Sequence, residues 1–178
     1  MHTNSIPWFA LTARPRHEKN IARILLNKGL ESFLPLYRSR RRWSDRLEAV
    51  DLPLFPGYVF CRFHYDHRLT VLNTPGVNSI IGFGNAPTPV SDEEIERVGA
   101  IVDSGLPALP WPYVHVGEAV RIDRGSLAGL EGVLVREKDS LRVVVTVEML
   151  RRAVAVEVDR DAIRAVPGAR PQQLSRSA

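Results

Sequence analysis

One thiol, five imidazoles and twenty carboxylates are the side chains in this sequence of 178 residues best suited to metal binding or acid–base chemistry. The thiol, Cys61, stands alone, which excludes an internal disulfide and any multi-cysteine zinc site. It lies in "YVFCRF", an apolar stretch where a thiol is expected to be buried and inert rather than nucleophilic. His2, His17, His64, His67 and His115 show no HExxH spacing; His64 and His67 are close together, but no second pair of ligands faces them. There is no Gly-rich phosphate loop, no GxSxG and no pair of carboxylates in a recognisable catalytic setting. The expectation is a protein that binds rather than reacts, with no cofactor and no metal.

The charges that remain point to an anionic partner. The net charge is +4, and residues 1–104 hold 13 Lys and Arg against 11 Asp and Glu, while 105–166 hold nine of each. "RSRRRWSDR" gathers Arg38, Arg40, Arg41, Arg42 and Arg46 around Trp43, a composition that suits phosphate contact and equally suits a solvated hairpin tip. Arg14, Arg16, Lys19 and Arg23 collect at the first turns of an expected helix. Cations there oppose the helix dipole, so they are better explained by a partner than by the helix.

The elements that must position these groups follow from periodicity. "WFALTA" at 8–13 reads as a strand, and the segment from His17 to a closing Gly29 as a helix with Ile21, Ile24, Leu25 and Lys28 on one face. "SFLPLYRSRRRW" and "RLEAVDLPLF" read as two arms about a basic loop. "HRLTVLNT" suggests a short helix and "GVNSIIGFG" a short strand. Ser91 with Glu94 three residues later is a capping box opening the helix "SDEEIERVGAIVDSG". The first domain, residues 6–104, is therefore expected to be α+β, an antiparallel sheet with helices packed on it. Three prolines in "GLPALPWPY" mark 105–114 as an extended linker. Short β-rich runs about ten residues apart over 115–166 predict a small all-β barrel, and 167–178 a polar, disordered tail. No apolar run approaches the roughly 18–20 residues needed to span a membrane, and "MHTNSIPWFAL" lacks a secretory n-region, so a cytoplasmic location is expected.

"LPLFPGYVFCRF" (52–63) holds the central question. After the Pro56–Gly57 turn the chain alternates, with Val59, Cys61 and Phe63 on one face and Tyr58, Phe60 and Arg62 on the other. One apolar face belongs in a core; the second aromatic pair needs its own explanation, either a partner or one of the domain's own helices.

Four stretches carry a family likeness: "WFALTARPRHEKNIARIL", "PLFPGYVFCRF", "TPGVNSIIGFGNAPTPVSDEEI" and "GEAVRIDRGSLAGLEGVLV". On these, residues 6–166 resemble the NusG-type transcription elongation and antitermination factors, in wording nearest the specialised RfaH- and UpxY-like paralogs. "VTVEMLRRAVAVEVD" matches the second half of the family's barrel, with Arg151 where many members have Gly. The resemblance implies an NGN domain joined to an SH3-like KOW barrel, and a monomer that makes or breaks no bond.

It also implies partners. The family's NGN domain seats the β′ clamp helices of RNA polymerase in an apolar depression, here Phe55, Tyr58 and Phe60 with Trp8 and Thr12. RfaH-like members also touch the polymerase gate loop, and His67, Arg68 and Thr70 hold the nearest positions. Arg14, Arg16, Lys19 and Arg23, and the Arg40, Arg41 and Arg42 cluster with Trp43, would face the non-template DNA strand. The KOW barrel would meet ribosomal protein NusE or termination factor Rho through Leu127, Leu130, Met149 and Leu150. The barrel should stay a barrel, since "VVVTV" and "AVAVEV" are too β-branched for a helical refolding. Ribosomal proteins also carry KOW barrels, so a ribosome-associated or RNA-binding role is the alternative.

Overall fold

A computed structural model of the chain describes residues 6–43, 46–84, 86–111, 118–137 and 140–166. The expected tail, 167–178, lies outside the described residues. The chain divides into two compact units, Met1–Ile95 and Glu96–Ala178.

In the first unit, strand β1 (Trp8–Ala13) leads into helix α1 (Glu18–Asn27), then β2 (Glu31–Phe33) and a hairpin of β3 (Leu36–Trp43) and β4 (Arg46–Pro53). Strand β5 (Tyr58–Arg62) follows the Pro56–Gly57 turn. Helix α2 (Arg68–Leu72), β6 (Val77–Ile80) and the small hairpin β7 (Gly82–Phe83) and β8 (Ala86–Pro87) follow, and α3 (Asp92–Asp103) spans the division between the units. The central sheet is antiparallel in the order β2-β5-β1-β6. The hairpin β3–β4 forms a ladder of its own, the two arms expected around the basic loop.

Register decides which residues share a face. Phe9 lies opposite Cys61 and Leu11 opposite Val59, so these four, with Ala13 and Phe63, line one side of the sheet. Helix α1 closes it with Ile21 and Leu25, and α2 adds Val71, giving a contiguous buried cluster. Lys28, the polar end of the α1 stripe, sends its Nζ to the Thr70 carbonyl and the Thr74 hydroxyl, both at 2.9 Å, and so ties α1 to α2. The expected cap is formed as well: the Glu94 amide donates to Ser91 Oγ at 3.1 Å at the start of α3.

Cys61 sits inside this cluster. Burial, and then the nearby Glu31 carboxylate, push its thiol up from 9.0 to about 12. The folded state thus favours the neutral thiol, and the stability this contributes is complete below pH 9. It is lost as pH rises from 9 towards 12, where the unfolded thiol ionises and the folded one does not; the full loss is on the order of 4 kcal/mol. At pH 8 a thiol reagent such as DTNB should leave the native protein unmodified, and one thiol per chain should react once denaturant is added.

The second unit is one antiparallel sheet of β9 (Ala108–Trp111), β10 (Glu118–Ile122), β11 (Glu131–Glu137), β12 (Ser140–Val147), β13 (Arg152–Val158) and β14 (Ile163–Ala165). Its order is β14-β10-β11-β12-β13-β9, so β10 to β13 form a four-stranded meander and β14 returns to pair with β10, as in an SH3-like barrel. Val143, Val145, Val147, Val154 and Val156 are buried on one face. Gly132 is needed where it stands: a Cβ there would fall 2.6 Å from both the Val143 side chain and the Val144 carbonyl. The fold class is therefore the expected one, α+β followed by all-β, and the β-branched runs are strands. The stretch expected as a linker differs, because Ala108–Trp111 is a strand of the second sheet and 112–114 lie outside the described residues.

Arg151 adopts φ 47 and ψ 46, the left-handed region, where the chain turns from the short 3-10 segment Glu148–Leu150 into β13. Left-handed backbone costs an L-residue roughly 1–2 kcal/mol, which a glycine avoids while losing about 0.5–1 kcal/mol of unfolded-state entropy. Arg151→Gly should thus leave the second unit equally stable or up to about 1 kcal/mol more so, and Arg151→Val should destabilise it. Urea titration of the two variants separates these outcomes.

Candidate polymerase-binding corner

Three chain segments meet at the end of the central sheet. Phe55–Pro56–Gly57–Tyr58 is a tight turn in which the Tyr58 amide donates to the Phe55 carbonyl at 3.1 Å. Gly57 takes φ +84, as the third residue of a type II turn requires. The Ala13 amide then donates to the Gly57 carbonyl at 2.8 Å, and the Arg14 amide to the Gly76 carbonyl at 2.8 Å. The Gly57 amide donates to Glu18 Oε1 at 2.9 Å. Glu18 is buried in the first turn of α1, where this bond fixes the turn to the start of the helix. The sequence reading passed over Glu18, because its partner is a backbone amide 39 positions away.

The second face of the sheet answers the question posed by "YVFCRF". Phe33 lies opposite Phe60 across β2–β5, and Ala10 opposite Phe60 across β5–β1. Phe60 meets Phe55 edge to face at 5.6 Å between centroids and Phe33 at 6.1 Å, while Trp8 meets Phe33 at 6.4 Å. These rings form a continuous layer, in which Phe55, Phe60 and Trp8 are exposed by 1%, 0% and 5%. Arg62 closes the Trp8 end: its guanidinium lies 4.8 Å from the Trp8 ring and pairs with Glu31 at 3.3 Å and Asp92 at 3.2 Å.

Of the five residues expected to seat a helix, Phe55, Phe60 and Trp8 are therefore floor, enclosed by their neighbours with no surface left for a partner. Tyr58 and Thr12 keep surface. They stand opposite one another across β5–β1, and Thr12 Oγ1 lies 2.7 Å from Ser79 Oγ on β6. Ser79, which the sequence reading did not single out, extends the accessible strip. Just past the end of β1, two and four residues from Thr12, Arg14 and Arg16 are exposed, as are Lys19 and Arg23 on α1; Arg23 bonds Asn20 at 2.8 Å. Arg16 itself has φ 66, the second left-handed arginine of the chain. Arg14 follows directly on β1, whose Ala13 amide bonds the Gly57 carbonyl, while Lys19 and Arg23 belong to the helix on the other side of the sheet.

The other expected residues lie elsewhere. His67 and Thr70 are exposed, and Arg68 holds its guanidinium 4.6 Å from the Tyr65 ring centroid. Arg40 is exposed on β3; the side chains of Arg41, Arg42 and Trp43 lie outside the described residues. Leu127, Leu130 and Leu150 are buried, so the apolar patch expected in the second unit is not open at these positions; the Met149 side chain lies outside the described residues. Among the described residues, no three His, Cys, Asp or Glu side chains are placed to hold a metal ion, and no helix is long and apolar enough to cross a membrane.

The chain thus joins a mixed sheet-and-helix unit to an all-β, barrel-like sheet, and sequence comparison says which family shares this order. The family model for "Transcription termination factor nusG" matches residues 7–99. The chain belongs to the NusG family. It is similar to the transcription termination/antitermination protein NusG of Lactococcus lactis, 29% identical over 167 residues that cover 85% of this chain and 89% of that one. The Neisseria meningitidis protein of the same description is also 29% identical, covering 85% and 93%. A solved structure described as "Domain interaction in Thermotoga maritima NusG" superposes with a TM-score of 0.54 at 21% identity, over 90% of this chain and 97% of that one, a likeness of fold. NusG-family proteins are transcription factors that work with RNA polymerase rather than enzymes.

Proposed function

We propose that this chain binds RNA polymerase at the clamp helices, suppresses pausing and modulates termination. The observation that carries the reading is the corner itself: a half-exposed Tyr58 above a rigid layer of rings, with Thr12 and Ser79 beside it and exposed Arg14 and Arg16 adjoining. An aromatic anchor loses little side-chain freedom on binding, which suits Tyr58 to a helix tip. The exposed cations Arg14, Arg16, Lys19 and Arg23, with Arg40, suit phosphates of the non-template strand. His67 and Thr70, both exposed, and Arg68 are the groups available to the gate loop.

Contact on both sides of the cleft would favour the closed clamp over the open, pause-prone one. That is a population shift driven by differential binding, with no chemical step. The second unit would couple the factor, as a monomer, to NusE or to Rho. Single-round transcription on several templates tests this: saturating protein should shorten pause lifetimes and change Rho-dependent read-through. Unchanged pausing and termination on every template would refute it.

A further inference from the structure

The outermost strand of the second sheet comes from the proline-rich stretch, and its pairing is specific. Ala108 lies opposite Val156, Leu109 opposite Ala155, Pro110 opposite Val154 and Trp111 opposite Ala153. The Glu157 amide donates to the Pro107 carbonyl at 3.3 Å. Opposed residues in an antiparallel ladder alternate between bonded and non-bonded pairs. That bond therefore sets Leu109 and Trp111 as the hydrogen-bonding positions and Pro110 as the residue whose nitrogen faces away from β13. A proline is tolerated there and removes one of the two outward-facing donors of β9, leaving the Ala108 amide as the other. That makes the outer edge a poor template for a further strand.

The same register puts Trp111 on the face opposite the buried valines. With Val135 it packs on Val144, Ala153 and Ala155, and the Arg142 guanidinium lies 5.1 Å from its ring. Two alanines at the foot of this seat leave the space that the indole fills. All four β9 residues are only half-buried, the strand is four residues long, and Pro107 lies one residue before it and Pro112 one residue after. So short a strand is held by few hydrogen bonds, and the valine core lies on the far side of the sheet from Trp111.

We propose that β9 is a guard strand: it occupies in cis the β13 edge and the alanine-floored seat. An extended protein segment carrying an aromatic residue can then pair with β13 only after β9 has left. The chemistry of the occupant is shown by β9 itself, an extended apolar strand with an indole opposite Ala153. While in place, β9 also hides a row of β13 amides and carbonyls that would otherwise invite edge-to-edge association. The inference is independent of the polymerase reading.

Hydrogen exchange on the full chain, comparing wild type with Leu109→Pro and with Trp111→Ala, tests it. The amides of Ala153, Ala155 and Glu157 face β9, and those of Val154 and Val156 face β12. In both variants the first set should exchange at least tenfold faster while Val154 and Val156 stay protected. A synthetic peptide of residues 106–113 should then bind Leu109→Pro and not the wild type. Unchanged exchange at Ala153 and Ala155, loss of protection along the whole of β13, or a peptide that binds both proteins or neither would each overturn the proposal. Trp111→Ala keeps the backbone register, so it remains informative if Leu109→Pro does not fold.

Discussion

Phe60→Ala is expected to destabilise the first unit by about 3–5 kcal/mol, the range for deleting a buried ring. Phe60 has no exposed surface and sits on β5, one of the two inner strands of the four-stranded sheet, opposite Ala10 on one side and Phe33 on the other. Its edge-to-face contact with Phe55 adds to the area term. The cavity cannot collapse easily, because Ala10 is small and β1 and β5 are fixed by their ladder. With a total stability of about 5–15 kcal/mol for a typical domain, this is enough to leave a large unfolded fraction at moderate temperature. A urea titration monitored by circular dichroism measures it, and Phe60→Leu should recover about half of the loss. A change below about 1 kcal/mol would mean that the ring layer is not a packed core.

Tyr58→Ala should behave in the opposite way. The residue is half-exposed and lies opposite Thr12 rather than within the ring layer, so its loss should cost the fold only about 1 kcal/mol. If it is the anchor for the clamp helices, truncation should weaken polymerase binding by roughly 2–4 kcal/mol, at least tenfold in affinity. Tyr58→Phe should retain most of the affinity, since the ring rather than the hydroxyl provides the contact area. The two substitutions, two residues apart on one face of one strand, thus separate folding from binding.

That separation also marks the limit of what alternation could tell. Period-two spacing correctly divided Val59, Cys61 and Phe63 from Tyr58, Phe60 and Arg62, because the pleat alone dictates it. What covers each face depends on register with distant segments. Phe33 reaches Phe60 through β2, and Asp92 reaches Arg62 from the start of α3, 30 residues on. Neither pairing leaves a local signature, so alternation left the cover of this face undecided; the structure closes it over Trp8, Phe55 and Phe60 and keeps Tyr58, Thr12 and Ser79 accessible.

The proline-rich stretch misled for a related reason. Proline density argues against a helix or an inner strand, yet an edge strand tolerates Pro110 when its nitrogen faces outward. Leu127, Leu130 and Leu150 were expected in a partner patch on the family resemblance alone, and the structure buries them. By contrast, the α1 stripe, the Ser91 cap and the barrel strands were legible, since each rests on contacts within a few residues or on β-branched runs. Arg151 occupies a left-handed position that would suit a glycine better, which is the physical sense of the glycine the family resemblance implies there.

The central claim is that the corner around Tyr58 seats the clamp helices of RNA polymerase. Equilibrium binding of the full chain to intact polymerase, and to polymerase whose clamp-helix tips have been replaced by a short loop, tests it most directly. Affinity should fall at least tenfold, about 1.4 kcal/mol, with the altered polymerase, and Tyr58→Ala should cause no further loss there because its contact is already gone. Equal affinity for the two polymerases would contradict the account.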